Sequence, residues 1–148
     1  MKTPKPVVIY WDSSAVLSVL FKDQHSGKAL AFAKREGLHL ISSLVFAEVY
    51  AVMARLGREK YLSDILIQAA CEVLETGPWR KIFVSPQWDL LRDLSRRWPL
   101  RGADLWHLAL AVTLKKEIPE LFLLSFDNRL NAAGTGEKLA WAWEKKGT

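Results

Sequence analysis

The chain is expected to adopt an α/β fold, a mainly parallel central sheet flanked by helices on both faces. Three observations lead there. Short apolar runs rich in branched and aromatic residues alternate with longer helix-like segments along the chain, the pattern of parallel strands joined by helical crossovers. Glycine, proline or serine marks most of the boundaries between them, as helix caps and chain breaks require. The length, 148 residues, suits one domain spanning 1–148, large enough for a real core and too small for two.

The elements follow in order. Residues 7–11, Val-Val-Ile-Tyr-Trp, favour a strand. Ser13 and Ser14 are good N-cap types for a helix over 15–21. A second helix is predicted over 25–36, stopped by Gly37, and a short strand over 38–41. Ser42 and Ser43 cap a third helix over 44–56, with Gly57 beyond it. A fourth helix over 58–75 ends at Gly77-Pro78. A third strand is predicted over 81–84. Helices follow over 87–98, halted by Pro99, and over 102–117, closed by Pro119. The fourth strand covers 121–125. The last stretch starts at Asn128, is broken by Gly134 and Gly136, and leads into a terminal helix over 137–146.

Composition narrows the function classes. Half of the residues are hydrophobic and a quarter charged, an ordinary globular balance that argues against disorder. The net charge of +5 suits an anionic partner such as RNA, DNA or an acidic protein. Cys71 is the only cysteine, so neither an intrachain disulfide nor a cysteine-based zinc site is expected; its helix-like apolar neighbourhood suggests a buried inert thiol. No apolar run approaches the roughly 18 residues of a membrane span. Residues 1–6 lead into a strand without a signal-peptide apolar region. A soluble, cytoplasmic protein is expected.

Four acids stand out because each borders an apolar stretch. Asp12 closes the first strand, Glu48 interrupts the apolar helix after the second, Asp104 lies within the apolar stretch 100–111, and Asp127 follows the fourth strand by two residues. Carboxylates are rarely buried unless paired or bound to metal. In an open parallel sheet, ligand sites lie at the carboxyl ends of the strands, where strand order reverses. Helices that follow parallel strands begin at that same edge, so all four side chains can converge there.

Such convergence has a cost. Two ionised carboxylates about 5 Å apart repel by about 3 kcal/mol at an effective dielectric of about 20. A divalent hard cation removes that penalty, and an oxygen-only ligand set selects Mg²⁺ or Mn²⁺ over zinc or copper. A cation so held activates water and neutralises charge as a phosphodiester breaks. The expectation is a metal-dependent nuclease. The plainer reading is that each acid caps a helix or faces its dipole. That reading serves Asp104 and Asp127 singly, and serves Glu48 poorly.

The segments Tyr10-Trp11-Asp12-Ser13-Ser14-Ala15, Ser42-Ser43-Leu44-Val45-Phe46-Ala47-Glu48-Val49, Leu100-Arg101-Gly102-Ala103-Asp104-Leu105-Trp106-His107-Leu108-Ala109 and Leu124-Ser125-Phe126-Asp127-Asn128-Arg129-Leu130 together resemble the PIN-domain nucleases. The likeness is strongest to the VapC-like toxins of bacterial and archaeal toxin–antitoxin pairs. It covers nearly the whole chain in the right order. Each motif alone is loose; the four together are quite specific. The resemblance implies a Mg²⁺- or Mn²⁺-dependent endoribonuclease, a hydrolase whose catalytic and metal-binding acids fall on Asp12, Glu48, Asp104 and Asp127. It also implies a homodimer and a cognate antitoxin that blocks the site. Small hydroxyl residues beside the first and fourth acids, here Ser13 or Ser14 and Ser125, would support the carboxylates or serve as helix caps.

Other features are weaker. His107 follows Asp104 by three residues, on the same helical face, and is read as a neutral histidine bonded within the helix layer. Arg92, Arg96, Arg97 and Arg101 are candidates for RNA phosphate contacts, against the default of a solvated helix face. Trp98, Trp106, Trp141 and Trp143 suit a core, a dimer interface or an antitoxin groove. Two competing classes remain. A non-catalytic RNA- or protein-binding module retaining the fold would not need four intact acids. A phosphatase with Asp12 as nucleophile usually places a second acid two residues on, where this chain has Ser14. No phosphate-binding loop of the Gly-Lys-Ser/Thr type is present.

Overall fold

Parallel pairing of the apolar runs organises the chain, a computed structural model in which residues 5–141 are described. Among these, the elements are β1 (Val7–Trp11), α1 (Ser13–Leu20), α2 (Ser26–Ala33), β2 (Gly37–Ser42), α3 (Ser43–Arg58), α4 (Asp64–Thr76), β3 (Trp79–Ile82), α5 (Trp88–Arg97), α6 (Gly102–Glu117), β4 (Phe122–Leu124) and α7 (Asn128–Gly136). The sheet order is β3-β2-β1-β4 and every pairing is parallel. The chain winds from β1 to β2 and β3 on one side, then returns to β4 on the other. Strand order therefore reverses between β1 and β4.

Both central strands are deeply buried, as a sheet covered by helices demands. Ile9, Tyr10, Trp11 and Ile41 have no solvent exposure. The helices associate in two groups, α1 to α4 and α5 to α7. α6 is buried over His107-Leu108-Ala109-Leu110-Ala111, too continuous a run to leave one polar face. α5 is the opposite case, with only Leu94 buried. Trp11 meets Trp79 edge to face at 5.5 Å. This packing puts β3 two residues earlier than the apolar run 81–84 suggests, and leaves Phe83 exposed.

Several predicted boundaries shift for identifiable reasons. Asp12, not Ser13 or Ser14, caps α1, accepting from the Ala15 N–H. Gly57 lies inside α3 rather than beyond it. A Cβ there would stand 3.0 Å from Ile67 Cδ1, so this glycine serves the close approach of α4. The chain turns instead at Lys60, with φ +56°, and α4 starts only at Asp64, capped by Ser63. α2 is shorter than 25–36, and Gly37 opens β2 instead of merely stopping a helix. Its φ is +148°, and a Cβ would fall 2.0 Å from the Val7 carbonyl oxygen. Cys71 is only partly buried, its Sγ 3.9 Å from Met53 Sδ. The predicted helix over 137–146 is not formed over residues 137–141. There the chain turns at Lys138, with φ +63°, and the Leu139 carbonyl accepts from the Leu123 N–H at 2.9 Å. Residues 142–146, with Trp143, lie outside the described residues.

Candidate active site

The site is built where β1 and β4 end side by side. The Asp12 N–H donates to the Leu124 carbonyl at 3.1 Å, extending the pairing past the last residue of β1. The Asp12 side chain is 3% exposed and takes three hydrogen bonds. Oδ1 accepts from the Ala15 N–H at 2.9 Å and from Ser14 Oγ at 2.7 Å; Oδ2 accepts from Ser125 Oγ at 2.5 Å. A carboxylate offers about four lone-pair positions, so one remains. The two serines are themselves tied across the strands. Ser14 Oγ accepts from the Phe126 N–H at 2.9 Å, and Ser125 Oγ from the Asp127 N–H at 3.1 Å. Burial pushes the Asp12 carboxyl above the usual carboxylate range, opposed by these hydrogen bonds and by the His107 charge.

Asp127 caps α7, its Oδ1 accepting from the Leu130 N–H at 2.9 Å. Asp104 is not a cap. It lies in the first turn of α6, whose N-cap is Arg101 without a side-chain bond. Partial burial raises the Asp104 carboxyl; the Asp127 and Glu48 charges add to the rise, and His107 and Arg101 oppose it. Asp104 and Asp127 line one cleft of about 300 Å³ with Leu100, Arg101 and Arg129.

Glu48 sits in the second turn of α3, its side chain 29% exposed. Its Oε1 lies 2.6 Å from His107 Nε2. His107 Nδ1 lies 2.7 Å from the Tyr10 hydroxyl, which in turn lies 2.9 Å from Ser42 Oγ. Ser42 Oγ also accepts from the Val45 N–H at 3.2 Å, capping α3. Burial drives the Tyr10 hydroxyl far above its ordinary range; the Ser42 bond lowers it, and the Asp12 and Glu48 charges raise it further. His107 thus reaches out of its own helix to β1 and α3, where the sequence suggests a bond within the helix layer.

The four acids therefore share one electrostatic neighbourhood at the carboxyl edge of the sheet. They do not form a closed cage. Among the described residues, no three His, Cys, Asp or Glu side chains are grouped so as to hold a metal ion. The donor set itself consists of carboxylate oxygens, which suits a hard divalent cation, and the Asp127 and Glu48 charges add to the rise that burial gives the Asp104 carboxyl.

The supporting candidates divide. Ser125 touches Asp12, and Ser14 rather than Ser13 is the N-terminal hydroxyl that does so. The four arginines have different surroundings. Arg92 pairs with Asp89 at 3.2 Å and Arg97 with Glu137 at 3.3 Å; Arg96 is in the last turn of α5. Only Arg101 lines the acid cleft, with Arg129, which the arginine spacing did not single out. Tyr10 and Ser42 also escaped notice, since an apolar strand and a helix cap explain them. Trp141 packs on Phe122 at 4.5 Å and under Arg35.

The sequence matches the PIN domain family over residues 9–135, and the chain belongs to that family. No curated protein matches it. Solved structures share its fold. VapC20 of Mycobacterium tuberculosis, described as a Sarcin-Ricin loop cleaving toxin, is 17% identical with a TM-score of 0.58, over 85% of this chain and 95% of that one. VapBC2 from Rickettsia felis, bound to a DNA fragment from its promoter, is 16% identical with a TM-score of 0.53, over 82% and 100%. PAE2754 from Pyrobaculum aerophilum is 20% identical with a TM-score of 0.56, over 88% and 81%.

Proposed function

We propose that this PIN-domain protein is a Mg²⁺- or Mn²⁺-dependent endoribonuclease, the toxin of a toxin–antitoxin pair, with Asp12, Glu48, Asp104 and Asp127 as its catalytic and metal-binding acids. The observation that carries the reading is that acids from four separate segments lie in one electrostatic neighbourhood near the β1–β4 reversal, with Asp104 and Asp127 lining one cleft. The Asp127 and Glu48 charges both add to the rise of the Asp104 carboxyl there. Family membership, and a neighbour of like fold that is a Sarcin-Ricin loop cleaving toxin, support the same activity. A net charge of +5 suits an RNA substrate. The VapBC2 neighbour supports a cognate antitoxin as partner, and a homodimer follows from the family resemblance.

The cation, when bound, supplies neutralisation of phosphate charge and a more acidic water. The chain does the rest. Asp12, fixed by three donors, presents its remaining lone pair in one direction. Glu48 is held by His107. Asp104, partly exposed and beside Asp127 in the cleft, would hold the cation with it through carboxylate oxygens. Arg101 and Arg129 flank the cleft and bind phosphate oxygens. No covalent enzyme intermediate is needed.

Purified protein incubated with structured RNA and Mn²⁺ or Mg²⁺, beside an Asp12→Asn control, tests the reading. Cleavage should require the cation, stop in excess EDTA and be absent from the variant. Cleavage that persists in chelator rules the mechanism out. RNA binding without any cleavage would favour a non-catalytic module.

A further inference from the structure

His107, Tyr10 and Ser42 form a buried polar line that the four acids do not require for their own burial. His107 is 1% exposed, Ser42 1% and Tyr10 0%. Such a line is costly inside a core unless every member is satisfied. A neutral imidazole protonated at Nε2 satisfies it in one direction. The Val45 N–H donates to Ser42 Oγ, the Ser42 hydroxyl to Tyr10, the Tyr10 hydroxyl to His107 Nδ1, and His107 Nε2–H to Glu48 Oε1. With a neutral imidazole, each donor points towards the carboxylate. Its members come from β1, the end of β2 and α6, and the line ends on α3.

Glu48 differs from the other acids in its support. Asp12 and Asp127 are held by the first-turn N–H groups of the helices they cap, and Asp104 lies in the first turn of α6. Glu48 lies in a second turn, where the helix's own N–H groups are already bonded, and its flexible side chain is partly exposed. What fixes it is the 2.6 Å bond to His107.

We propose that His107 is a positioning residue, oriented by Tyr10 and Ser42, that holds the Glu48 carboxylate in place for the cation. This rests on the reading of the four acids as a metal-dependent centre. Outer partners of this kind orient the groups that ligate, and losing one typically lowers metal affinity about 10- to 100-fold.

Direct Mn²⁺ binding, read from the free-ion electron paramagnetic resonance signal, tests this alongside the melting temperature of the metal-free protein. His107→Leu fills similar space. It leaves Tyr10 bonded to Ser42 with one buried hydroxyl donor unpaired and lets the partly exposed Glu48 turn to water, so metal-free melting should fall modestly and Mn²⁺ binding is the deciding readout. Mn²⁺ affinity should drop about tenfold or more. His107→Gln, with an amide nitrogen near the Nε2 place, should recover most of the loss. Tyr10→Phe keeps the ring, frees Nδ1 and should weaken Mn²⁺ binding severalfold. If His107→Leu and Tyr10→Phe both bind Mn²⁺ as wild type does, the line is only a tie between layers and the proposal fails alone. A wild-type protein that takes up no Mn²⁺ overturns the reading of the acids, and this proposal with it.

Discussion

Ser125 Oγ donates to Asp12 Oδ2 at 2.5 Å, across the line where strand order reverses. The same oxygen accepts from the Asp127 N–H, so one hydroxyl fixes the first acid and the backbone of the fourth. Ser125→Ala should remove both bonds and leave one oxygen of a buried carboxylate without its donor, at a cost of about 1–3 kcal/mol near neutral pH. Losing this bond raises the folded Asp12 pKa further, because the bond opposes the effect of burial. The penalty applies to the charged form, so it should shrink as pH falls through the folded value towards the unfolded one. Urea unfolding of both proteins across pH measures this. A penalty that is constant with pH means the serine acts through packing and not through Asp12.

The Asp104 carboxyl makes a second, independent pH prediction. Its folded pKa is raised, so the folded state holds that proton more tightly than the unfolded chain, where Asp titrates at about 3.9. The resulting stability is complete below the unfolded value and is lost as pH rises through the folded value. Metal-free protein should weaken over that interval, and Asp104→Asn should flatten the loss. At neutral pH the variant should melt no lower than wild type. Mn²⁺ at a hundredfold excess over its dissociation constant should stabilise wild type by about 2.7 kcal/mol and the variant much less. Strong destabilisation of metal-free Asp104→Asn, with an undiminished Mn²⁺ response, would remove Asp104 from the centre.

Much of the fold is legible because its signals are local. Val7 to Trp11 is apolar on both faces, as a central parallel strand must be, and α6 is bounded by Pro99 and Pro119 outside its ends. What misleads is chemistry with two uses. Gly57 looks like a stop but is a contact with Ile67. Asp12 carries both readings, ligand and cap, and it is the cap of α1 in the place that Ser13 and Ser14 suggest for themselves. A cap uses one oxygen, so the plain and the functional readings of Asp12 and Asp127 are compatible. The order of the acids along the chain is visible in the sequence. The His107–Tyr10 bond is not, since it joins residues 97 apart and no periodicity encodes it.

Gly136 ends α7 against the Trp98 indole, and a Cβ there would fall 2.2 Å from Cη2 and 2.3 Å from Cζ2. Trp98 cannot easily yield, because its Nε1–H donates to Glu137 Oε2 at 3.0 Å and Glu137 also pairs with Arg97. Gly136→Ala should therefore destabilise the protein by about 1–3 kcal/mol through overpacking. Trp98→Phe removes the ring that carries both close atoms. The double variant should cost less than the sum of the single ones, a coupling expected only between groups in contact. Additive losses in chemical denaturation would mean that α7 shifts instead of pressing on Trp98.

Arg101 and Arg129 share the acid cleft with Asp104 and Asp127, whereas Arg92 and Arg97 are engaged with Asp89 and Glu137. Charge in the cleft should meet the substrate phosphate; charge already paired along α5 should not. Salt dependence separates the two pairs, because each phosphate contact to a single strand contributes roughly 0.7 to the slope of log affinity against log salt. Arg101→Gln with Arg129→Gln should flatten the slope by about 1.4, twice that single-contact figure, and weaken RNA binding at every sequence tested. Arg92→Gln with Arg97→Gln should leave the slope close to wild type. The Arg92–Asp89 pair is exposed and contributes little to stability, and melting curves taken on both double variants keep the comparison one of binding. Measurements use the Asp12→Asn background, so that RNA survives the titration. If the α5 pair changes the slope and the cleft pair does not, the RNA path runs along α5, and Arg101 and Arg129 serve only to offset the acids beside them.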